Sequence, residues 1–82
     1  MYDIVFTDKA REQFLGLEKD AKERISSALE RIRIKPEHYV TKLVGDPAYK
    51  LRVGDYRVLM DIDSGKLTIL VLRVGHRKNV YL

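Results

Sequence analysis

Residues 49–57, Y-K-L-R-V-G-D-Y-R, constrain the fold more than any other stretch of this chain. Lys50 and Arg52 alternate with Leu51 and Val53, which is the period of a strand with one wet face. Gly54-Asp55 is a turn signal, because glycine adopts the positive φ that a type II′ hairpin asks of its first central residue. A two-residue loop there pairs Val53 with Tyr56 and Arg52 with Arg57. Two guanidinium groups then stand side by side, and like charges facing each other in a sheet destabilise it by some tenths of a kcal/mol, up to about 1. One reading is a fold built around an anion, since two adjacent guanidinium forks suit a phosphate. The other is two long side chains splayed into solvent with their charge screened.

From Tyr49 onward the hydrophobic period is 2. Strands are expected at 49–53, 56–62 and 66–74, with Asp63-Ser64-Gly65 as the second turn. The last strand, K-L-T-I-L-V-L-R-V, is apolar on both faces over most of its length, which marks it as central. Before residue 49 the pattern is different. Y-D-I-V-F at 2–6 is a short β-type run, and Thr7 follows as a helix N-cap with Asp8 in the first turn. Ala10, Phe14 and Leu17 fall at helical spacing and predict a helix over 8–19. Asp20-Ala21-Lys22-Glu23 resembles a capping box and predicts a second helix from Asp20, with Ala21, Ile25, Ala28, Leu29 and Ile32 as its apolar stripe. Lys35-Pro36 stops it, because proline disfavours the α region for the residue before it. The charges on these helices mostly balance, as with Glu23 and Arg24 or Glu30 and Arg31, and form a solvated face. Residues 36–48 are a loop, with Lys42 and Leu43 a short extension into the sheet. The expected fold is α+β in a single domain, 1–82. It has an N-terminal strand, a helical hairpin and a three-stranded antiparallel meander, with the first strand beside the central one.

The chain has no cysteine, which removes disulfides, thiolate nucleophiles and Cys-ligated zinc from consideration. No apolar run approaches the roughly 18 residues of a membrane span. Asp3 and Asp8 interrupt any signal-peptide pattern, so a cytoplasmic location is expected. The net charge of +4 is unevenly placed. Residues 1–49 balance, whereas residues 50–82 carry seven Lys and Arg against three Asp, which accounts for the whole excess. Such asymmetry points to a polyanionic partner, either a nucleic acid or an acidic protein.

After the central strand come Gly75, His76, Arg77, Lys78 and, four residues beyond Arg77, Tyr81. Two chain reversals bring this segment to the strand end that carries Arg52 and Arg57. A two-residue second turn places Asp55 opposite Val74 and runs the Arg57 face toward His76. A three-residue turn places Arg57 opposite Val71 and runs that face through Arg73 toward Arg77. The acids lie in or near turns without ligand spacing, so no metal and no cofactor is expected. No serine is placed as a nucleophile. The set suits phosphodiester cleavage in RNA, where the 2′-OH of the substrate is the nucleophile. The protein then supplies proton transfer and cationic stabilisation of a pentavalent phosphate. The His76 imidazole is suited to proton transfer. Tyr81 is suited to stacking on a base or moving a proton. The alternatives are a surface histidine and a C-terminal aromatic packed on the sheet. His38 is given no role.

The segments Y-K-L-R-V-G-D-Y-R-V (49–58) and V-L-R-V-G-H-R-K-N-V-Y (71–81), in this order of elements, resemble the RelE/ParE superfamily of toxins from toxin–antitoxin pairs, on the RelE side. The resemblance implies a ribosome-dependent endoribonuclease that enters the A site and cuts mRNA by in-line attack of the 2′-OH. It implies functional roles for Lys50 and Arg52, for Arg57, and for Arg77 and Tyr81, with His76 where relatives carry histidine or lysine. Arg73 and Lys78 are expected to add RNA contacts. The implied partners are the ribosome with its mRNA and an acidic RelB-like antitoxin, with a heterotetramer as one assembly. The resemblance also implies two alternatives on the same fold: a ParE-like inhibitor of DNA gyrase without catalysis, and an inactive antitoxin-binding relative. Ala48 stands where better-known members carry a further lysine, two positions before Lys50. The sequence ends one residue after Tyr81, where many relatives have a longer tail.

Overall fold

The computed structural model describes residues 1–78. Its first strand, β1 (Asp3–Phe6), ends at Thr7, whose hydroxyl accepts from the Ala10 amide at 3.1 Å. That bond caps α1 (Asp8–Leu15), as the Thr-Asp pair predicts. The helix stops at Leu15 and does not reach residue 19. Gly16 is its C-cap, and the Leu17 amide turns back to the Phe14 carbonyl at 3.1 Å. Glycine is a poor helix former and a ready terminator, and this outweighs the apolar spacing that continues to Leu17.

The second helix, α2 (Lys19–Ile32), begins one residue earlier than expected. Its N-cap is Glu18, which makes no side-chain capping bond, so the expected capping box does not form. Asp20 sits inside the first turn and meets Arg24 Nε at 3.3 Å, one turn on. At the far end, Arg33 ties α2 to β1. The Arg33 carbonyl accepts from the Tyr2 amide at 2.8 Å, and Arg33 Nε donates to the Tyr2 carbonyl at 2.8 Å. After a 3-10 turn (Pro36–His38) comes β2 (Thr41–Lys42), one residue before the predicted short extension.

The remaining strands are β3 (Tyr49–Val53), β4 (Tyr56–Asp63) and β5 (Thr68–His76). With β1 and β2 they form one sheet in the order β1-β5-β4-β3-β2. β1 lies beside β5 in parallel, and the other neighbours are antiparallel. β5 is interior as expected, but the short β2 makes β4 the middle strand of the five. The first hairpin has the predicted register, Arg52 opposite Arg57 and Val53 opposite Tyr56. Gly54 has φ +59 and Asp55 a negative φ, the pattern of a type II′ turn.

The second hairpin differs from both expected registers. Asp63 faces Thr68 across a four-residue loop, 64–67. Asp63 Oδ1 accepts from the Lys66 amide at 3.0 Å, so the side chain closes the turn and widens it. A bulge follows: Met60 faces Val71 while Leu59 faces Arg73, leaving Leu72 as the extra residue. Arg57 therefore lies opposite Gly75, and Tyr56 opposite His76.

Both helices cover one face of the sheet. Ile25 and Ile32 from α2 and Ala10 from α1 bury against Leu51, Val58, Met60, Ile69, Val71 and Val74, all at most 5% exposed. No helix among the described residues is long and apolar enough to cross a membrane.

Replacing Gly54 by L-alanine should cost about 1–2 kcal/mol in urea unfolding, because φ +59 is the left-handed region. The nearest side-chain atom to a Cβ there is Arg24 Nη1 at 3.6 Å, so crowding contributes little. A chemically synthesised D-alanine variant should lose none of that stability.

Candidate anion-binding face

Residues paired across strands share a face, so the register sorts every side chain of the meander. One rung is Lys50, Leu59 and Arg73; the next is Arg52, Arg57 and Gly75. Both rungs lie on the face that the helices leave open, because the residues between them, Leu51, Val58 and Val74, point into the core. Four cationic side chains from three strands thus stand on two adjacent rungs. Gly75 puts no side chain beside Arg57.

Arg57 is 8% exposed although it carries a full charge. Its Nη1 donates to the Tyr56 carbonyl at 3.1 Å and to the Gly54 carbonyl at 3.4 Å, which anchors the guanidinium at the first turn. Its Nε and Nη2 have no protein acceptor among the described residues. No buried side-chain nitrogen or oxygen among those residues lacks a partner, so these two nitrogens reach solvent. Among the described residues Lys50, Arg52 and Arg57 also have no carboxylate within ion-pair distance. A guanidinium held by backbone carbonyls, with donors left over that solvent can reach, is arranged to receive an anion.

Arg77 joins this end of the sheet. Its amide donates to the Asp55 carbonyl at 2.9 Å, tying the segment after β5 to the first turn, and its side chain is exposed. Lys78 is exposed beside it, and its amide donates to His76 Nδ1 at 3.3 Å. Tyr81 lies outside the described residues.

His76 does not join the cationic face. The bulge puts it on the helix-covered side, where its ring meets Tyr56 edge-on at 5.9 Å between centroids. A cleft of about 600 Å³ lies there, lined in part by Lys9, Glu12, Gln13 and His76. The expected convergence of His76 with Arg57 is thus corrected. The reason is one of parity, since each residue added to a strand sends its successor to the opposite face. Among the described residues no three His, Asp or Glu side chains gather in one place.

An α+β domain with an N-terminal strand, two helices and then antiparallel strands matches the fold of RelE toxin structures. The family profile of ParE toxins of type II toxin–antitoxin systems, parDE, matches residues 4–81, and the chain belongs to that family. It is a RelE/ParE-type toxin of a toxin–antitoxin system, structurally like RelE. The toxin–antitoxin complex RelBE2 of Mycobacterium tuberculosis contains a chain 28% identical to it, with a TM-score of 0.85 over 93% of this chain and 98% of that one. The isolated Escherichia coli RelE toxin is 25% identical, with a TM-score of 0.81 over 93% and 84%. The RelE–RelB complex of Pyrococcus horikoshii shares the fold at 21% identity, with a TM-score of 0.76 over 96% and 98%. No curated protein matches the chain at a significant level.

The facing pair Arg52 and Arg57 should cost stability in the free protein. Arg52→Gln keeps most of the stem and removes the charge, so it should stabilise by some tenths of a kcal/mol up to about 1 in low salt. Urea unfolding repeated near 1 M salt should show that gain largely gone, because screening then acts within about 3 Å.

Proposed function

We propose that this toxin is a metal-independent endoribonuclease that cuts mRNA in the ribosomal A site. The observation that carries the proposal is the guanidinium of Arg57, held by two backbone carbonyls and set among Lys50, Arg52 and Arg73 with no carboxylate paired to it among the described residues.

In this reaction the ribose 2′-oxygen attacks the adjacent phosphorus. The P–O5′ bond breaks, leaving a 2′,3′-cyclic phosphate and a 5′-hydroxyl, and one proton passes from the 2′-oxygen to the 5′-oxygen. The extra negative charge on the pentavalent phosphate is what the protein must stabilise, and fixed guanidinium groups do so without reorganising. Arg57 and Arg77 hold that phosphate, while Arg52 and Arg73 hold neighbouring phosphates. Guanidinium groups stay protonated, so proton transfer falls to Lys50, the other cationic group of this face. Tyr81 is assigned to stacking on a base. His76, across the sheet, is left out of the proton path. Work at the ribosome places the protein in the cytoplasm.

The same exposed cations suit an acidic RelB-type antitoxin that covers the face and withdraws it from RNA. A heterotetramer of two toxins and two antitoxins is one assembly that would do so. A second reading, a ParE-like inhibitor of DNA gyrase without catalysis, is favoured by the family profile that matches residues 4–81 and by the absence of His76 from the cationic face. An inactive relative that binds its antitoxin alone would show no effect on growth.

Expression in cells with primer extension on a translated message separates these. Cuts within codons are expected, whereas gyrase-dependent DNA damage without cuts would establish the second reading. Arg57→Ala and Arg77→Ala should each lower cutting about 10²–10³-fold, the usual loss for one transition-state donor, with unchanged far-UV circular dichroism. Cutting that persists in both variants overturns the site assignment.

A further inference from the structure

The bulge in β5 decides where Arg73 points. If the pairing of Met60 with Val71 continued without it, Leu59 would face Leu72 and Val58 would face Arg73. Arg73 would then enter the helix-covered core, and Val74 would stand beside Arg57. The extra residue at Leu72 reverses this, so Val74 is 2% exposed in the core and Arg73 shares the rung of Leu59 and Lys50.

The backbone around the bulge is held from α1 and its cap. β1 pairs with β5 as far as Phe6 opposite Val71. Thr7 continues from there: its amide donates to the Val71 carbonyl at 3.0 Å, and its hydroxyl donates to the Leu72 carbonyl at 3.3 Å. Further along α1, Gln13 Oε1 accepts from the Val74 amide at 2.9 Å. Gln13 lies on the apolar stripe of α1, three residues after Ala10 and one before Phe14. A polar residue at such a position needs a partner, and here the partner is the strand amide just past the bulge.

We propose that Gln13 is a positioning residue: by holding the Val74 amide, with Thr7 on Leu72, it keeps the bulge that turns Arg73 onto the cationic face. This rests on the reading of that face as a phosphate-binding surface for RNA. Gln13 itself lies on the other side of the sheet and touches no RNA in this scheme, so its effect reaches the substrate through Arg73.

The test uses the purified full chain and a fluorescein-labelled 2′-O-methyl RNA dodecamer, which cannot be cut. Affinity is measured by anisotropy over a range of NaCl. Each phosphate contact to a single strand contributes about 0.7 to the slope of log affinity against log salt. Arg73→Ala should lower the slope by about 0.7. Gln13→Met, which keeps the volume and removes the acceptor, should lower it equally, and the double variant no further. Gln13→Glu, which keeps an acceptor oxygen, should retain the parent slope. Hydrogen exchange at the Val74 amide should quicken in Gln13→Met and not in Gln13→Glu. A Gln13→Met variant that loses thermal stability but keeps the slope, while Arg73→Ala lowers it, overturns this inference and leaves the RNA-binding face intact. If Arg73→Ala and Arg57→Ala both leave the slope unchanged, the face does not bind RNA and both proposals fall.

Discussion

The apolar seal between the helical hairpin and one face of the sheet governs everything else in this molecule. Ile25 and Ile32 of α2 have no meaningful exposure, and neither do Val58, Met60, Ile69 and Val71 beneath them. Burying a side chain of this size is worth about 1.5–3 kcal/mol, so the seal outweighs the repulsion among the cations on the far face. In a small domain with few other core residues, the strands must place these side chains inward. The charged residues between them are then carried outward together. The cationic face is therefore a consequence of core formation on its opposite side.

This arrangement also explains how a buried arginine persists with no carboxylate paired to it among the described residues. Arg57 borrows two backbone carbonyls at the turn, which satisfy part of its donor set and leave the rest without a protein acceptor among the described residues. An ion pair would neutralise the group and close it to ligands. Backbone carbonyls fix its direction and leave its charge available.

Much of the fold was legible locally. The hairpin at Gly54-Asp55, the cap at Thr7, the two helices and the order of elements all rest on interactions spanning a few residues, which turn chemistry and hydrophobic period report directly. The rung of Arg52 and Arg57 followed from the same two-residue turn. Less legible were the helix boundaries near Gly16 and Glu18, where a terminator competed with a continuing apolar stripe. Gln13 has nothing nearby in sequence to name its partner, since the Val74 amide that it accepts from lies 61 residues away.

The sequence by itself determined that two guanidinium groups stand side by side at one end of the β3–β4 hairpin, because a two-residue turn admits one pairing. Tertiary structure alone decided which distant residues join them. Ile69, Leu70, Val71 and Leu72 are apolar on both faces, so alternation is silent there about which side faces in. The choice was made by tertiary contacts: Val71 and Val74, three residues apart, both fill the core under α1 and α2, Gln13 holds the Val74 amide, and an odd spacing on one face requires an extra residue between them. That one residue sends Arg73 to the cations and His76 away from them.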